Sequence, residues 1–418
     1  MADVKYTPMK NNPNFMVNNT KKQEEIKFTI EISKNKSYDS EYVEIIPAKS
    51  PQFSNIAVIF AGDVHDGAVG TNAVKDEKTL EFVRKTANCI YVPGGDVFNS
   101  VISPDQDRHA DKYGLQHAID KKHYQFEKIL DKIPFVIDGN HDGQNGNRWV
   151  ASGMSPAKHL ADSLNITHIK YGALLQLTLP SSDYKREPKT INLFMFHCAG
   201  KTSGTAKSVD NTFKMAMAQL QALKIVPDAI FGGHFHSNSN GLFPTDVYVY
   251  NKSGKLVGIK RKDVIVVSDS TLQEKSDYAL AAGYPPTESN VYINNIRVVK
   301  NPYYNASTKN TQYEYMVEMT RIPMFRQNSD EYTDEAKEYM KNYQEPEHLR
   351  EEVRREYQNI SYEEATKKLK EAVDDFKSAR FLFDETENVS TQTFTETKTE
   401  SLDANAHIDD DVNSNDGM

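Results

Sequence analysis

Five short polar clusters of Asp, Asn and His residues stand out in the first 240 residues of this chain. Each cluster follows a short apolar run, and together they hold five of the twelve histidines. They are Asp63-Val64-His65, Gly94-Gly95-Asp96, Gly139-Asn140-His141-Asp142, His197, and Gly233-His234-Phe235-His236. Imidazole, carboxylate and amide groups without thiolates favour Mn²⁺, Fe or Zn²⁺ over Mg²⁺ or Ca²⁺. The pattern therefore predicts a site for divalent metal ions, with Mn²⁺ as the first expectation.

The apolar runs before these clusters predict the elements that position them. Short buried strands are expected at residues 56–61, 89–93, 134–138, 191–197 and 229–233, and helical patterns near residues 77–86, 115–133 and 209–223 alternate with them. This alternation predicts an α/β fold. Open α/β sheets place their binding sites in loops at the carboxyl ends of the strands, which is where all five clusters fall. After residue 240, a hairpin around residues 251–254 and a strand at 264–267 predict a second sheet.

The order and wording of the clusters resemble the calcineurin-like metallophosphoesterases, whose signature reads D-x-H, G-D, G-N-H-D/E, H and G-H-x-H. The resemblance covers roughly residues 55–240, and none of the metal-ligand positions is substituted. It implies a four-layer αββα sandwich of two mixed sheets, here with a C-terminal helical extension, and a two-metal site at the strand ends. One metal would be held by Asp63, His65 and His236, the other by Asn140, His197 and His234, with Asp96 bridging both.

The resemblance also implies phosphoester hydrolysis, and the residue types agree with that chemistry. Two dications repel each other strongly, so they need a shared anion, which the Asp96 carboxylate would supply. A water between the metals would become a bridging hydroxide, the nucleophile. In the resembled family, the histidine at the position of His141 is the usual general acid or transition-state stabiliser. Asp142 would accept the second N–H of His141 and orient the ring. Arg148 is a candidate contact to a substrate phosphate, although an arginine at such a position is more often an ordinary surface residue.

Departures from subfamily patterns favour a phosphodiesterase or a DNA exonuclease-like enzyme. The second cluster lacks the arginine of phosphoprotein phosphatases, and residues 94–104 (GGDVFNSVISP) and 227–236 (PDAIFGGHFH) look like blocks of the repair-nuclease branch. Asn99 replaces the usual Asp or His of that branch. Substrate choice depends on loops, so alternatives remain open. They are a cyclic-nucleotide or other small-molecule phosphodiesterase, a phosphomonoesterase, and a non-catalytic scaffold.

Composition and charge divide the 418 residues further. Residues 1–50 predict an N-terminal arm or hairpin, 51–325 the metallophosphoesterase domain, 326–383 a helical extension and 384–418 a disordered acidic tail. The tail carries ten acidic residues against one lysine, and the net charge of the whole chain is −9. The helical extension is a possible docking element for a protein partner, and nucleic acid is a possible substrate partner.

Neither a signal peptide nor a membrane span is predicted, because no apolar run has the required length. The two cysteines, Cys89 and Cys198, are too few for a disulfide framework or a thiolate metal site. These features predict a cytoplasmic protein without a membrane partner.

Overall fold

The computed structural model describes residues 31–32, 38–39, 43–50, 53–100, 113–143, 155–180, 188–199, 205–236, 238–251, 253–268, 271–273, 289–302, 304 and 313–345. They belong to one compact unit, Met1–Ser361, and a second unit, Tyr362–Met418, lies outside the described residues. Arg148, residues 346–383 of the predicted helical extension and the acidic tail also lie outside them, so the predictions made for these parts stay predictions.

Strands form two main sheets, each with both parallel and antiparallel neighbours. The strands are β1 (Glu31–Ile32), β2 (Tyr38–Asp39), β3 (Val43–Lys49), β4 (Asn55–Ala61), β5 (Cys89–Pro93), β6 (Phe135–Ile137), β7 (Thr167–Ile169), β8 (Gly172–Leu179), β9 (Lys189–His197), β10 (Ala229–Gly233), β11 (Ser239–Tyr250), β12 (Leu256–Ser268), β13 (Tyr292–Lys300) and β14 (Tyr315–Pro323). The large sheet has the order β1-β3-β8-β9-β10-β12-β11, with β2 also paired to β3, and the small sheet has the order β14-β13-β4-β5. Strands β6 and β7 form a separate parallel pair, which a bridge between Gly94 and Ile137 joins to the end of β5.

Five α-helices in the described residues cover the outer faces of these sheets. They are α1 (Ala73–Lys85), α2 (Leu115–Phe126), α3 (Pro156–Leu164), α4 (Thr205–Leu220) and α5 (Asp334–Asn342). Capping residues explain several boundaries, because the side chains of Asn72 and Ser155 accept hydrogen bonds from the first turns of α1 and α3. The pattern expected to run to residue 133 ends as an α-helix at Phe126 and continues as a 3-10 helix at Glu127–Lys132.

The core confirms the predicted four-layer arrangement, because alternate residues of the same strand enter different clusters. Ile56, Val58 and Phe60 of β4 join the cluster between the two sheets, where Phe60 meets Phe231 of β10 at a ring-centroid distance of 6.0 Å. Ala57 and Ile59 face α1 and α2 instead. Since both faces of β4 are covered, its sequence is continuously apolar rather than alternating.

The large sheet begins within the segment that the sequence assigns to an N-terminal arm. Strand β3 (Val43–Lys49) pairs in parallel with β8, and β1 pairs antiparallel to β3. Val43 and Ile45 pack toward α4, whereas Ile46 and Ala48 face the core between the sheets. A strand buried on both faces is part of the body, so the body starts before residue 51.

Strands after residue 240 are divided between the two sheets rather than forming one of their own. The hairpin of β11 and β12 is present, joined through residues 251–255, and β12 pairs in parallel with β10 of the large sheet. Strand β13 instead pairs with β4 and completes the small sheet with β14. No helix in the described part of the chain is long and apolar enough to cross a membrane.

Replacing Lys122 with methionine will lower the free energy of unfolding by about 3–5 kcal/mol. Lys122 on α2 is fully buried, and its Nζ lies 2.6 Å from Oδ2 of Asp76 on α1, which is equally buried. The substitution leaves the Asp76 carboxylate without its cation in an apolar interior, and the chain cannot easily hydrate it. Chemical denaturation of both proteins measures the difference.

Two further variants separate the buried ion pair from a general effect of losing a lysine. Lys85→Met removes an exposed pair with Glu81 at 2.5 Å and will change stability by less than about 1 kcal/mol. The double variant Lys122→Met/Asp76→Leu will recover most of the loss, because neither charge of the buried pair remains. Equal effects of Lys122→Met and Lys85→Met would contradict the prediction.

Candidate metal centre

The five polar clusters converge at one edge of the sandwich, where strands of both sheets end. Strands β4, β5 and β6 lead to Asp63, Asp96 and Asn140, whereas β9 ends at His197 and β10 leads to His234. Strands β4 and β5 run in parallel, as do β9 and β10, so their carboxyl ends lie at the same edge of each sheet. The clusters therefore meet across the gap between the sheets.

The backbone of these clusters is unusual, because five non-glycine residues have positive φ angles. They are Asp63 (53°), His65 (50°), Asp96 (51°), His234 (85°) and His236 (47°). Side chains disfavour this region, and each such residue costs on the order of 1 kcal/mol unless its surroundings hold it in place. Tight approach adds to the constraint, since a Cβ at Gly139 would overlap the Asp96 carboxylate. Strain of this kind clusters at functional sites.

One group of possible ligands consists of Asp63, His65 and His236. Each can offer an atom within 4.8 Å of the other two. Nε2 of His236 lies 3.1 Å from Oδ1 of Asp63, and Nε2 of His65 lies 3.9 Å from the same oxygen. Asp63 and His65 are buried, whereas His236 is half-buried. These are the three residues expected to hold the first metal.

A second group consists of Asp96, His197 and His234, and Asn140 adjoins it. The first three again offer atoms within 4.8 Å of one another. Nε2 of His197 lies 3.3 Å from Oδ2 of Asp96 and 3.1 Å from Oδ1 of Asn140. Nδ1 of His197 faces the carbonyl oxygen of Gly94 at 3.1 Å, and because a carbonyl only accepts, Nδ1 carries a hydrogen. A histidine oriented in this way presents Nε2 to a metal.

Asp96 connects the two groups through a single oxygen. Its Oδ2 lies 3.3 Å from Nε2 of His197 and 3.9 Å from Nε2 of His65, one member of each group. Its Oδ1 accepts a hydrogen bond from the backbone N–H of His141 at 2.7 Å. The carboxylate is thus oriented by the loop after β6 and turns Oδ2 toward both groups.

His65 gives the clearest indication that these residues suit a metal ion. Both of its ring nitrogens are buried, and neither has a hydrogen-bond partner in the described structure. Burial, together with the nearby His141, lowers the pKa of His65 to about 3, so the ring is neutral with a free lone pair. A buried imidazole without a partner is costly in a protein, and a cation between His65, Asp63 and Asp96 would satisfy it.

Electrostatics within the site follow the same layout. Burial alone would raise the pKa of Asp63, but His236 and His197 hold it below its ordinary value. Burial would likewise raise the pKa of Asp96, but mainly His197 and His141 hold it well below its ordinary value. Burial would lower the pKa of His197, yet the Asp96 carboxylate and Asp63 raise it to about 10. Without metal, therefore, the protonated His197 offsets part of the negative charge of Asp96 and Asp63.

Metal binding will strengthen as pH rises from 6 to 8. His197 carries a proton at neutral pH in the metal-free protein, because its pKa is raised to about 10, and a metal must displace that proton. Each displaced proton changes the binding constant about tenfold per pH unit. Titration calorimetry with Mn²⁺ in buffers of different ionisation enthalpy will count at least one proton released at pH 7.

The same shift predicts how stability depends on pH. A histidine whose pKa rises from 6.5 to about 10 on folding stabilises the fold fully below pH 6.5. This contribution disappears as pH increases toward 10, so the metal-free protein will become less stable over that range. The metal-loaded protein will not show the loss, because its His197 is already deprotonated. Metal affinity that does not change between pH 6 and 8 would contradict both statements.

His141 lies beside both ligand groups, and one of its ring nitrogens is hydrogen-bonded to the backbone. Its Nδ1 faces the backbone carbonyl of Asn99 at 3.0 Å, so this nitrogen carries a hydrogen and Nε2 is the one left to exchange a proton. Its ring meets that of His65 edge-on at a centroid distance of 4.6 Å. Asn99 thus contacts His141 through its backbone carbonyl.

Asp142 does not orient His141 as expected from the sequence. In the described structure, its carboxylate instead accepts backbone hydrogen bonds from Val97 (2.6 Å), Phe98 (3.1 Å) and Gly139 (2.9 Å). Asp142 therefore ties the loop after β5 to the loop after β6. Burial, with Asp96 and Asp138 nearby, raises its pKa to about 8 despite these hydrogen bonds.

Two other sequence features lie away from this centre. The basic run at 260–262 lies in the first half of β12, away from the carboxyl end of the strand that faces the site. Lys262 pairs there with Asp228 at 2.8 Å. Lys260 stacks over the Tyr313 ring at 4.7 Å. Cys198 follows His197, but its thiol is buried, contacts Thr212 and has a raised pKa. Neither feature contributes a ligand.

Sequence reasoning missed Asp66, which supports the first cluster from behind. Its Oδ1 accepts hydrogen bonds from the Tyr113 hydroxyl at 2.5 Å and from Nζ of Lys121 at 2.8 Å. These contacts tie the loop that carries Asp63 and His65 to α2. The sequence signal for this role was the position of Asp66 directly after His65. An acidic residue at such a position is too common to indicate a function.

Comparisons with known proteins give distant structural neighbours. No protein-family model matches the chain, and no curated protein matches it. One solved structure is a conserved uncharacterized protein, a predicted phosphoesterase, from Streptococcus pneumoniae, with 11% identity, a TM-score of 0.26, and coverage of 65% of this chain and 100% of that one. Another is the calcineurin-like phosphoesterase YfkN from Bacillus subtilis, with 12% identity, a TM-score of 0.29, and coverage of 72% and 99%.

Proposed function

We propose that this chain is a calcineurin-like metallophosphoesterase that hydrolyses phosphoesters with two divalent metal ions. The observation that carries the proposal is the pair of ligand groups that share one carboxylate oxygen, with the unpartnered imidazole of His65 beside it. Mn²⁺ is the preferred ion, with Fe or Zn²⁺ as alternatives, because the donors are imidazole, carboxylate and amide.

Each ligand group has a distinct task in this proposal. Asp63, His65 and His236 would hold one ion, Asn140, His197 and His234 the other, and Asp96 would serve both. When bound, the ions acidify water and neutralise charge on the phosphate oxygens. The chain keeps the ligands in place through the backbone hydrogen bonds of its loops, such as that from the His234 N–H to Oδ2 of Asp63 at 2.6 Å. It needs no nucleophile of its own.

His141 is proposed to deliver the proton that the leaving oxygen requires. The Asn99 carbonyl holds Nδ1, so Nε2 is the nitrogen that would face the substrate. A positioned acid of this kind contributes about 10²–10⁴-fold to a rate. A ring nitrogen of His141 lies within 4.8 Å of possible ligand atoms of His65 and Asp96, so His141 could itself contact an ion. We assign it to the proton because the other seven residues already supply the ligands of both ions.

A phosphodiester, and among these a nucleic acid strand, is the proposed substrate class. Support comes from the sequence at residues 94–104 and 227–236, which resembles the nuclease branch, and from the missing arginine of the phosphoprotein phosphatases. Docking of a protein partner through the C-terminal helical extension remains a prediction, since most of that extension lies outside the described residues.

A paired rate measurement tests the proposal. Protein stripped with a chelator and reloaded with Mn²⁺ is assayed on bis-p-nitrophenyl phosphate and on p-nitrophenyl phosphate. We expect kcat/KM to be at least about tenfold higher for the diester, and activity to vanish without metal. Single-stranded DNA and cyclic nucleotides then separate the nuclease from a small-molecule enzyme. Preference for the monoester would redirect the assignment to a phosphatase, and absence of metal-dependent turnover would support the scaffold.

A further inference from the structure

The loop that carries Asp63 and His65 must be held in a strained conformation. Both residues have φ angles near +50°, and both are buried. A loop with positive φ angles relaxes to a more favourable conformation unless contacts with neighbouring segments hold it in place. Its backbone hydrogen bonds therefore decide whether the two side chains stay aimed at a common ion.

The amide groups of the loop are held by the loop after β5. The N–H of Asp63 donates to the carbonyl of Gly95 at 3.0 Å, and the N–H of His65 donates to the carbonyl of Asp96 at 2.8 Å. These bonds keep the first and second clusters side by side. They leave the carbonyl groups of the same residues to be satisfied from elsewhere.

Two buried threonines donate to those carbonyl groups, and the N–H of Ala68 also donates to the carbonyl of His65 at 3.0 Å. Oγ1 of Thr271 donates to the carbonyl of Asp63 at 2.7 Å. Oγ1 of Thr71 donates to the carbonyl of His65 at 2.5 Å and approaches that of Val64 at 3.2 Å. The N–H of Gln273 donates to Oγ1 of Thr271 at 2.8 Å, so the single hydroxyl hydrogen of Thr271 is directed at Asp63.

The two threonines belong to one small structural unit behind the loop. Thr71 forms an isolated antiparallel bridge with Gln273, and the N–H of Asn72 donates to the carbonyl of Leu272 at 3.1 Å. Residues 271–273 and the turn before α1 are thus joined to each other. A shift of either segment would be passed to both carbonyl groups.

We propose that Thr71 and Thr271 are positioning residues that lock the Asp63–His65 loop in its metal-binding conformation. The inference rests on the proposed function, because it concerns the ligands of the same centre. Their hydroxyl groups donate to backbone carbonyls, and neither threonine belongs to the groups of possible metal ligands. They act by holding the two strained carbonyl groups, so that Asp63 and His65 are pre-oriented before an ion arrives.

Metal affinity, not activity, is the primary measurement. Thr71→Val and Thr271→Val keep the size and burial of the side chain and remove only the hydroxyl. Titration calorimetry of the metal-free proteins with Mn²⁺ will show binding weakened by about 10–100-fold, the usual effect of losing a group that orients a ligand. Thr71→Ser and Thr271→Ser, which keep the hydroxyl, will bind within about threefold of the original protein.

Thr79→Val is the matched control. Thr79 is fully buried on α1, and its hydroxyl donates to the carbonyl of Lys75 at 2.7 Å, so the same chemical change is made away from the site. We expect its stability to fall as in the other valine variants but its Mn²⁺ affinity to stay unchanged. The two threonine positions are independent tests, so failure of one variant to fold leaves the other.

The outcomes distinguish this inference from the proposed function. Valine variants that bind Mn²⁺ as tightly as Thr79→Val, or serine variants as weak as the valine ones, would overturn the positioning role and leave the metal centre intact. An original protein that binds no Mn²⁺ would overturn the proposed function and the inference with it.

Discussion

Replacing Asp96 with asparagine will reduce phosphodiester hydrolysis by about 10³-fold, corresponding to ~4 kcal/mol of lost stabilisation. Oδ2 of Asp96 faces both ligand groups, at 3.3 Å from Nε2 of His197 and 3.9 Å from Nε2 of His65. Asparagine keeps the shape but removes the negative charge that two neighbouring cations require between them. Steady-state kinetics and metal analysis on the same samples measure the effect.

The metal content should fall together with the rate. We expect close to two ions per chain in the original protein and one or none in Asp96→Asn. Asp120→Asn on α2 is the matched control, because Asp120 is exposed and its carboxylate accepts only a local hydrogen bond from Gln116 at 2.8 Å. That variant should keep both its metal and its rate. An Asp96→Asn protein with full activity would show that the carboxylate is not part of the reacting centre.

Replacing His141 with glutamine will slow the hydrolysis of a dinucleotide by about 10²–10³-fold without changing metal content. Nδ1 of His141 is committed to the Asn99 carbonyl, so the substitution removes the one nitrogen that can pass a proton to the leaving oxygen. Glutamine retains polarity and size but cannot act as an acid near neutral pH. Rates are measured under saturating Mn²⁺.

The leaving group provides the decisive comparison for this variant. p-Nitrophenolate leaves readily without a proton, so bis-p-nitrophenyl phosphate should lose much less rate than the dinucleotide. His123→Gln is the control, since His123 lies on α2 and contacts Ser163 at 2.9 Å rather than the site. Equal losses for both substrates would show that His141 acts by binding the substrate rather than as an acid.

Much of the ligand set was predictable because each ligand stands next to a strong local signal. An apolar run ends, and a short motif with Asp, Asn or His follows within one to three residues, as at Asp63 and His236. Thr271 has no such signal. It lies 208 residues from Asp63 in the chain, and a lone threonine after a strand is unremarkable. Contacts of this kind depend on where segments that are distant in the chain meet. The local sequence pattern does not predict such meeting points.

Asp142 illustrates the same limit within a recognised motif. Its place after His141 suggested a direct contact, yet its carboxylate turns toward the backbone of Val97 and Phe98. Neighbours in sequence point in different directions once a loop is folded. The loop packed against Asp142 therefore decides that its carboxylate accepts hydrogen bonds from backbone N–H groups and not from His141.

The sequence by itself determined the strands that lead to the five clusters, the α/β class and the residue types at the carboxyl ends, because these depend on local hydrophobic pattern. Only the tertiary structure decided that β4 and β5 lie in one sheet and β9 and β10 in the other. That division brings Asp63 to within 3.1 Å of His236 across the sandwich. The physical reason is that buried strands are apolar on both faces, so their sequences do not specify which sheet each one joins.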